Sequence, residues 1–188
     1  MKKLFRLFAA ACMIGTAGLH AQDITFGAKA GLNLANLGGD AEDTDMLTAF
    51  YVGGFADIAL SDQFSVQPEL LYSAQGAKQT FGDTEVESKL NYLNIPIMAK
   101  YYVSEELNIQ AGPQVGILLS AEAGDIDVKD ATNGVDFGIN FGLGYEMESG
   151  LRVDARFNLG LGDTTDDADT GDTSVTNQVI QVGVGYAF

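Results

Sequence analysis

Asn177-Gln178-Val179-Ile180-Gln181-Val182-Gly183-Val184-Gly185-Tyr186-Ala187-Phe188 ends the chain, and its pattern decides the fold. Counting back from Phe188, alternate positions are Tyr186, Val184, Val182 and Ile180, with Ala187, Gly185, Gly183 and Gln181 between them. Successive side chains of a strand point to opposite faces. One face of this segment is therefore bulky and apolar, and the other is small or polar. The pattern describes a strand with apolar residues outside and little inside.

A strand of this kind that stops on an aromatic resembles the closing strand of bacterial outer-membrane β-barrels. There a C-terminal aromatic acts as an insertion signal. The resemblance gives that role to Phe188 with Tyr186, and implies barrel-insertion machinery as a partner. The beginning of the chain agrees. Lys2, Lys3 and Arg6 form a positive n-region, the stretch 7–19 is mostly apolar, and Ala21 precedes Gln22. This reads as a secretory signal peptide over 1–21, with the mature domain at 22–188. Leu19 departs from the small residue usual three positions before such a cut. The apolar run is shorter than the ~20 residues a spanning helix needs. Cys12, the only cysteine, lies in the h-region; too little hydrophobic sequence precedes it for a lipid-anchored N-terminus, and no disulfide is available. Beyond the leader, glycine or a polar residue interrupts every apolar run, so the chain crosses a bilayer as strands or not at all.

Composition narrows the function. The chain has 26 Asp and Glu against 10 Lys and Arg, and three of those ten lie in the n-region. Phosphate backbones require Lys and Arg, so no nucleic-acid partner is expected. The only His is His20, inside the leader. The mature segment thus lacks both His and Cys, which excludes Ser–His and Cys–His nucleophilic sites and His/Cys zinc sites. No enzyme activity and no cofactor are expected.

Eight segments alternate apolar and small-or-polar residues, over 24–34, 50–60, 64–76, 91–103, 107–119, 135–147, 151–161 and the terminal strand. Each is about 11 residues or slightly longer, the tilted span of a bilayer. A soluble barrel would also alternate. Here, however, the face opposite the apolar one carries Lys29, Asp57, Glu69, Lys100, Arg152, Asp154 and Arg156. The reading is an all-β, closed, eight-stranded antiparallel up-and-down transmembrane β-barrel, with these seven residues as a lumen charge network. Polar stretches at 35–49, 77–90, 120–134 and 162–176 are expected to be long extracellular loops. Turns at 61–63, 104–106 and 148–150 are expected to be periplasmic, with both termini on that side. Phe26, Phe64, Tyr101, Tyr145, Tyr186 and Phe188 fall near that end and fit an aromatic girdle. Inward glycines make room for Tyr51, Phe55, Tyr92, Arg152 and Arg156, so an open pore is not expected. Pro68, Pro96 and Pro113 sit within strands of a sheet that has no edge, and a bulge is expected near each.

Three stretches carry a closer resemblance: Gln67-Pro68-Glu69-Leu70-Leu71-Tyr72-Ser73, Leu90-Asn91-Tyr92-Leu93-Asn94-Ile95-Pro96, and Gln110-Ala111-Gly112-Pro113-Gln114-Val115-Gly116. Together they resemble the PorT-like outer-membrane β-barrel domain family of Bacteroidetes. The resemblance implies an integral barrel of a Gram-negative cell envelope, in contact with outer-membrane lipid and lipopolysaccharide. It implies either a structural role or an accessory role in a surface or secretion assembly, with secretion-complex proteins as partners. A narrow channel or small-ligand-binding barrel is the alternative.

Two clusters invite chemistry. Glu69 and Lys100 lie inward on neighbouring strands, as a relay or as a structural ion pair; the structural pair is the simpler reading. Asp163, Asp166, Asp167, Asp169 and Asp172 form a dense carboxylate run that could take Ca²⁺ but lacks the EF-hand order. A solvated acidic loop explains the run as well.

Overall fold

The computed structural model describes residues 24–39, 44–81, 84–124, 126–162 and 175–188. The strands are β1 (Ile24–Gly39), β2 (Thr44–Ser61), β3 (Phe64–Phe81), β4 (Thr84–Tyr102), β5 (Leu107–Ala123), the two-residue β6 (Ile126–Asp127), β7 (Val135–Glu146), β8 (Leu151–Gly160) and β9 (Val175–Ala187). Each long strand pairs antiparallel with the next in sequence. β9 returns to β1, from Gly27↔Ala187 to Gly39↔Val175, and β4 pairs with β5. The sheet therefore closes on itself as an eight-stranded barrel, with β6 a flap on the end of β5.

Alternation sets the two faces throughout. Phe26, Leu32, Val52, Leu70, Ile97, Ile109, Phe137, Phe157, Val184 and Tyr186 are exposed on the outer wall. Lys29, Tyr51, Phe55, Asp57, Glu69, Tyr92, Lys100, Asp154 and Arg156 are buried in the lumen. An exterior this apolar around a polar interior inverts the soluble pattern, and suits a chain whose outer solvent is lipid. The expected girdle residues Phe26, Phe64, Tyr101, Tyr145, Tyr186 and Phe188 are all exposed at the end that carries the termini.

Two expectations are corrected. The stretches 35–49 and 77–90 are mostly not loops: β1 runs on to Gly39, β2 starts at Thr44, and β3 and β4 leave only 82–83 between them. Strand pairing there needs no apolar exterior. Polar residues suffice when cross-strand partners match, as where Lys78 meets Glu87 at 3.3 Å. Stretch 120–134 is likewise part strand, with a 3-10 turn at Lys129–Ala131. The second correction concerns the prolines. Register is unbroken across all of them, as Val66↔Ile58 and Glu69↔Phe55 around Pro68 show. The pairing lapses at Pro68 against β2, at Pro96 against β3 and at Pro113 against β4, then resumes in step. Each proline withholds one N–H without inserting a residue, so a gap replaces the bulge. The bulges that do occur lie elsewhere, between Met46 and Tyr51, between Ala59 and Ser61, and at Asn91/Tyr92.

β2 to β5 run 17–19 residues and β7 to β9 only 10–13. A tilted crossing takes about 9–11. One half of the wall therefore stands well above the apolar band, at the end away from the termini. Inside that end, Leu90, Tyr92, Leu118 and Ala121 form an apolar cap with Val128 packed on it.

Tyr51 fills the lumen against glycine. A Cβ on Gly183 would collide with the Tyr51 hydroxyl and lie 2.7 Å from the Ala30 carbonyl oxygen. Gly54, on the outer face, has only the Gly27 carbonyl oxygen at 3.3 Å. Gly183→Val is therefore expected to lose at least the ~1–3 kcal/mol that overpacking costs. In an unboiled SDS gel it should run as unfolded chain, while Gly54→Ala keeps the fast-migrating folded band.

Candidate functional site

The lumen is built in layers along the barrel axis. The layer nearest the termini joins Asp57 of β2, Gln67 of β3, Lys100 and Tyr102 of β4, Asn108 of β5, Glu146 of β7 and Arg152 of β8. Lys100 Nζ donates to Asp57 Oδ2 at 2.8 Å and to Gln67 Oε1 at 3.0 Å, and contacts Glu146. Arg152 Nη1 reaches Asp57 Oδ2 at 2.5 Å, and its Nη2 lies 3.1 Å from Glu146 Oε2. Tyr102 and Asn108 donate to Glu146 at 3.1 and 3.0 Å. The Arg152 guanidinium also stacks over Phe55, 5.0 Å from the ring centre.

The next layer holds Lys29, Glu69, Asp154 and Arg156. Arg156 grips Glu69 with two parallel bonds of 2.8 and 2.7 Å, the bidentate geometry that favours arginine. Its Nε stands 2.8 Å from Asp154. Lys29 Nζ donates to Asp154 at 2.8 Å and lies 3.6 Å from Glu69. Each layer sets two cations against two carboxylates. Balance of this kind is what lets six of these charges be buried, with Arg152 and Glu146 half-buried beside them, because a buried charge left without a partner is far costlier than a paired one.

All seven predicted network residues are in these two layers. The Glu69–Lys100 pair is not: Lys100 serves Asp57 and Glu146, and Glu69 serves Arg156 and Lys29. Gln67 connects them, accepting from Lys100 and donating to Glu69 Oε1 at 2.6 Å. Sequence reasoning left Glu146 out of the network, although alternation already placed it inward beside Arg152. Gln67 was legible as inward too, but a bridging amide has no signature in sequence.

Above the charges lies a layer of amides. Asn33 donates to Ser73 at 2.9 Å and accepts from Gln181 at 2.9 Å, while Asn158 donates to Asn140 and Asn140 to Gln114. Asn177 then donates to Asp136 at 2.9 Å, just beneath the apolar cap. Between the charged side chains a cavity of about 20 Å³ remains, lined by Lys29, Gln110, Glu146 and Asp154 among others. That is room for about one water. At the termini end a wider vestibule of about 450 Å³ opens, bounded by Thr25, Asp57, Ser65, Tyr102, Glu105 and Arg152. The Asp57–Arg152 pair closes its floor.

The remaining predicted residues divide. Tyr186 and Phe188 point outward at the rim, and the Phe188 N–H donates to Phe26 O at 2.9 Å, which ties the terminus to β1. Asp163, Asp166, Asp167, Asp169 and Asp172, and the leader at 1–21, lie outside the described residues. Among the described residues, no cluster of three His, Cys, Asp or Glu is arranged to hold a metal ion.

Breaking one partner of the bidentate pair should cost about 3–5 kcal/mol, because the other charge is left buried and alone. Arg156→Met and Glu69→Gln are each expected to lower the urea midpoint of the folded barrel in detergent. The double variant keeps the Lys29–Asp154 pair balanced and should recover most of the loss. Additive losses in the double variant would show that the two side chains do not act as a pair.

Known proteins agree with the architecture. The fold matches that of Neisserial surface protein A (13% identity, TM-score 0.57, 90% of this chain and 100% of that one). It also matches Ail, the attachment invasion locus protein of Yersinia pestis (13% identity, TM-score 0.53, 87% and 98%). At such identities the likeness concerns fold alone. No curated protein matches the sequence. The family model described as "Outer membrane protein beta-barrel domain" matches residues 20–166. The chain therefore belongs to the outer-membrane β-barrel domain family, as an integral protein of that membrane.

Proposed function

We propose that this barrel is closed and non-enzymatic, and acts through its outer surfaces as a structural or accessory member of a surface or secretion assembly of the PorT type. The observation that carries the reading is the filled lumen. Two balanced charge layers, an amide layer and an apolar cap leave about 20 Å³ between the charges. On this reading the packing between the charges leaves the wall and its rims as the working surface. The raised half of the wall, β2 to β5, offers paired polar strand beyond the membrane, where another envelope protein or lipopolysaccharide can be met. In this reading the raised end faces outside and both termini face the periplasm. Tyr186 and Phe188 are what the insertion machinery engages.

One structure of Ail contains a heparin analogue, sucrose octasulfate. A chain of net charge −16 is a poor receptor for such a polyanion, so a similar ligand does not transfer. The vestibule of about 450 Å³ favours the second reading, a ligand-binding barrel or narrow channel entered from the termini end. Conduction would require the Asp57–Arg152 and Lys100–Glu146 pairs to part.

Two measurements test the proposal. Affinity capture of the tagged mature barrel from gently solubilised outer membrane is expected to bring down a recurrent, near-stoichiometric envelope protein. Recovery with lipid alone would reduce the role to a structural one. In a planar bilayer the barrel is expected to give a closed trace, and steady single-channel currents would favour the channel.

A further inference from the structure

The vestibule at the termini end carries more negative charge than its surroundings neutralise. Asp57 and Arg152 form its floor, and the Arg152 charge is taken up by Asp57 and Glu146. Glu105 and the exposed Asp62 line the rim. Among the described residues, the basic side chains outside the lumen are Lys78, Lys89 and Lys129, and all three stand at the far end, on β3, β4 and the turn after β6. No described Lys or Arg at this end therefore offsets Asp62 and Glu105, and Glu106 and Glu148 in the neighbouring turns add to the same sign. A cleft of one charge between low-dielectric walls focuses the field and draws cations into it.

The carboxylates are spaced rather than clustered. Among the described residues no three of them converge as a metal ion requires. Asp57 lies at the floor, and Ser61, next to Asp62, is four residues further along β2. That is about 13 Å of strand, or about 10 Å of depth at a tilt near 40°. Ala59 and Leu60 give an apolar wall between the two levels. At the floor, Lys100 and Arg152 both end on Asp57 Oδ2, which leaves Oδ1 without a cation. The buried Ser65 lines the same floor, and its hydroxyl oxygen is unpartnered. Such an oxygen can accept an N–H, and leaving it buried and unused costs free energy.

We propose that the vestibule binds a linear aliphatic polyamine. One terminal ammonium donates to Ser65 Oγ and Asp57 Oδ1 at the floor. The methylenes lie along Ala59 and Leu60, and the other terminal ammonium sits at the rim between Asp62 and Glu105. A vestibule of about 450 Å³ holds an extended triamine with water beside it. A monoamine reaches one level only, and a metal ion has charge without length. The inference rests on the second reading above in its ligand-binding form, and it needs no passage through the lumen.

The test is calorimetric titration of the mature barrel, folded in detergent, with spermidine, butylamine and magnesium chloride at matched ionic strength. One spermidine per barrel is expected, at least about tenfold tighter than butylamine, with magnesium no better than sodium at displacing it. Asp62→Asn with Glu105→Gln removes the rim and should weaken spermidine about tenfold, the combined worth of two partly exposed pairs. Ser65→Val removes the floor acceptor and should weaken it as well. Glu106→Gln with Glu148→Gln removes the same charge from the same end but outside the lining, and should leave binding nearly unchanged. Absence of spermidine binding by the native barrel would overturn the proposal. Butylamine bound as tightly as spermidine, or equal losses in the two double variants, would reduce the effect to general attraction by an acidic rim and overturn it too. An unboiled gel confirms that each variant is folded, and Ser65→Ala replaces Ser65→Val if the latter is not. Conductance reads the channel form of the second reading separately: currents without spermidine binding would sink this site and leave the channel standing.

Discussion

Lipid offers a backbone no hydrogen-bond partner, and nearly everything in this molecule follows from that constraint. A sheet in hydrocarbon cannot keep an edge, so β9 must find β1. It does so along the whole of β9, with Phe188 itself bonded to Phe26. Closure in turn fixes which residue faces which, because the alternation of hydrogen-bonded pairs must stay in step round the ring. Prolines are tolerated only as isolated omissions. Each of the three falls against a different neighbour, so no single ladder loses more than one proline donor.

Eight strands also fix the size of the interior, and the sequence meets that size with two devices. Glycines on β1 and β9 let Tyr51 and Phe55 lie across the lumen against the backbone. Opposed charges then pack the remaining space. A charged core normally contributes little net stability over an apolar one, since desolvation offsets much of the attraction. Its use here is of another kind. An interior of leucines would make both faces of every strand apolar and erase the alternation that sets inside from outside. Lys29, Glu69, Asp154 and Arg156 state the register in a form that a one-residue slip could not survive: a slip of β8 would place Arg152, Asp154 and Arg156 in lipid, and a slip of β1 or β3 would place Lys29 or Glu69 there.

This is why so much was legible in the sequence. The face assignments of all eight strands, the girdle, the closing strand and the seven lumen charges follow from period two and from the sign of the polarity difference. Two kinds of information did not follow. The ends of β1 to β5 were invisible because the reading relied on an apolar exterior, and Thr, Glu, Lys and Ser pair in strands above the membrane as readily as Leu pairs within it. The partners within the lumen were invisible because they depend on reach across the barrel. Lys100 and Glu69 are near in sequence pattern, yet an arginine on β8 with a longer, forked side chain takes Glu69 first. The proline bulges failed for a third reason. Missing a donor and adding a residue are different events, and only the second shifts register.

The uneven wall is where physical constraint ends and selection for something else begins. Crossing the membrane accounts for about 9–11 residues per strand, and β8, at ten, spends almost nothing more. β3 and β4 carry eight or so beyond that need, in matched polar pairs such as Lys78–Glu87 that stabilise only weakly where water reaches them. Ordering that much exposed backbone costs conformational entropy that weak surface pairs do not repay. The apolar cap of Leu90, Tyr92, Leu118 and Ala121 supplies the missing stabilisation from inside. A cap placed there packs the lumen at the height of the raised half of the wall. On the reading proposed above, this packing serves an ordered edge beyond the apolar band rather than an open channel. On that same reading, the edge is the surface that another envelope molecule meets.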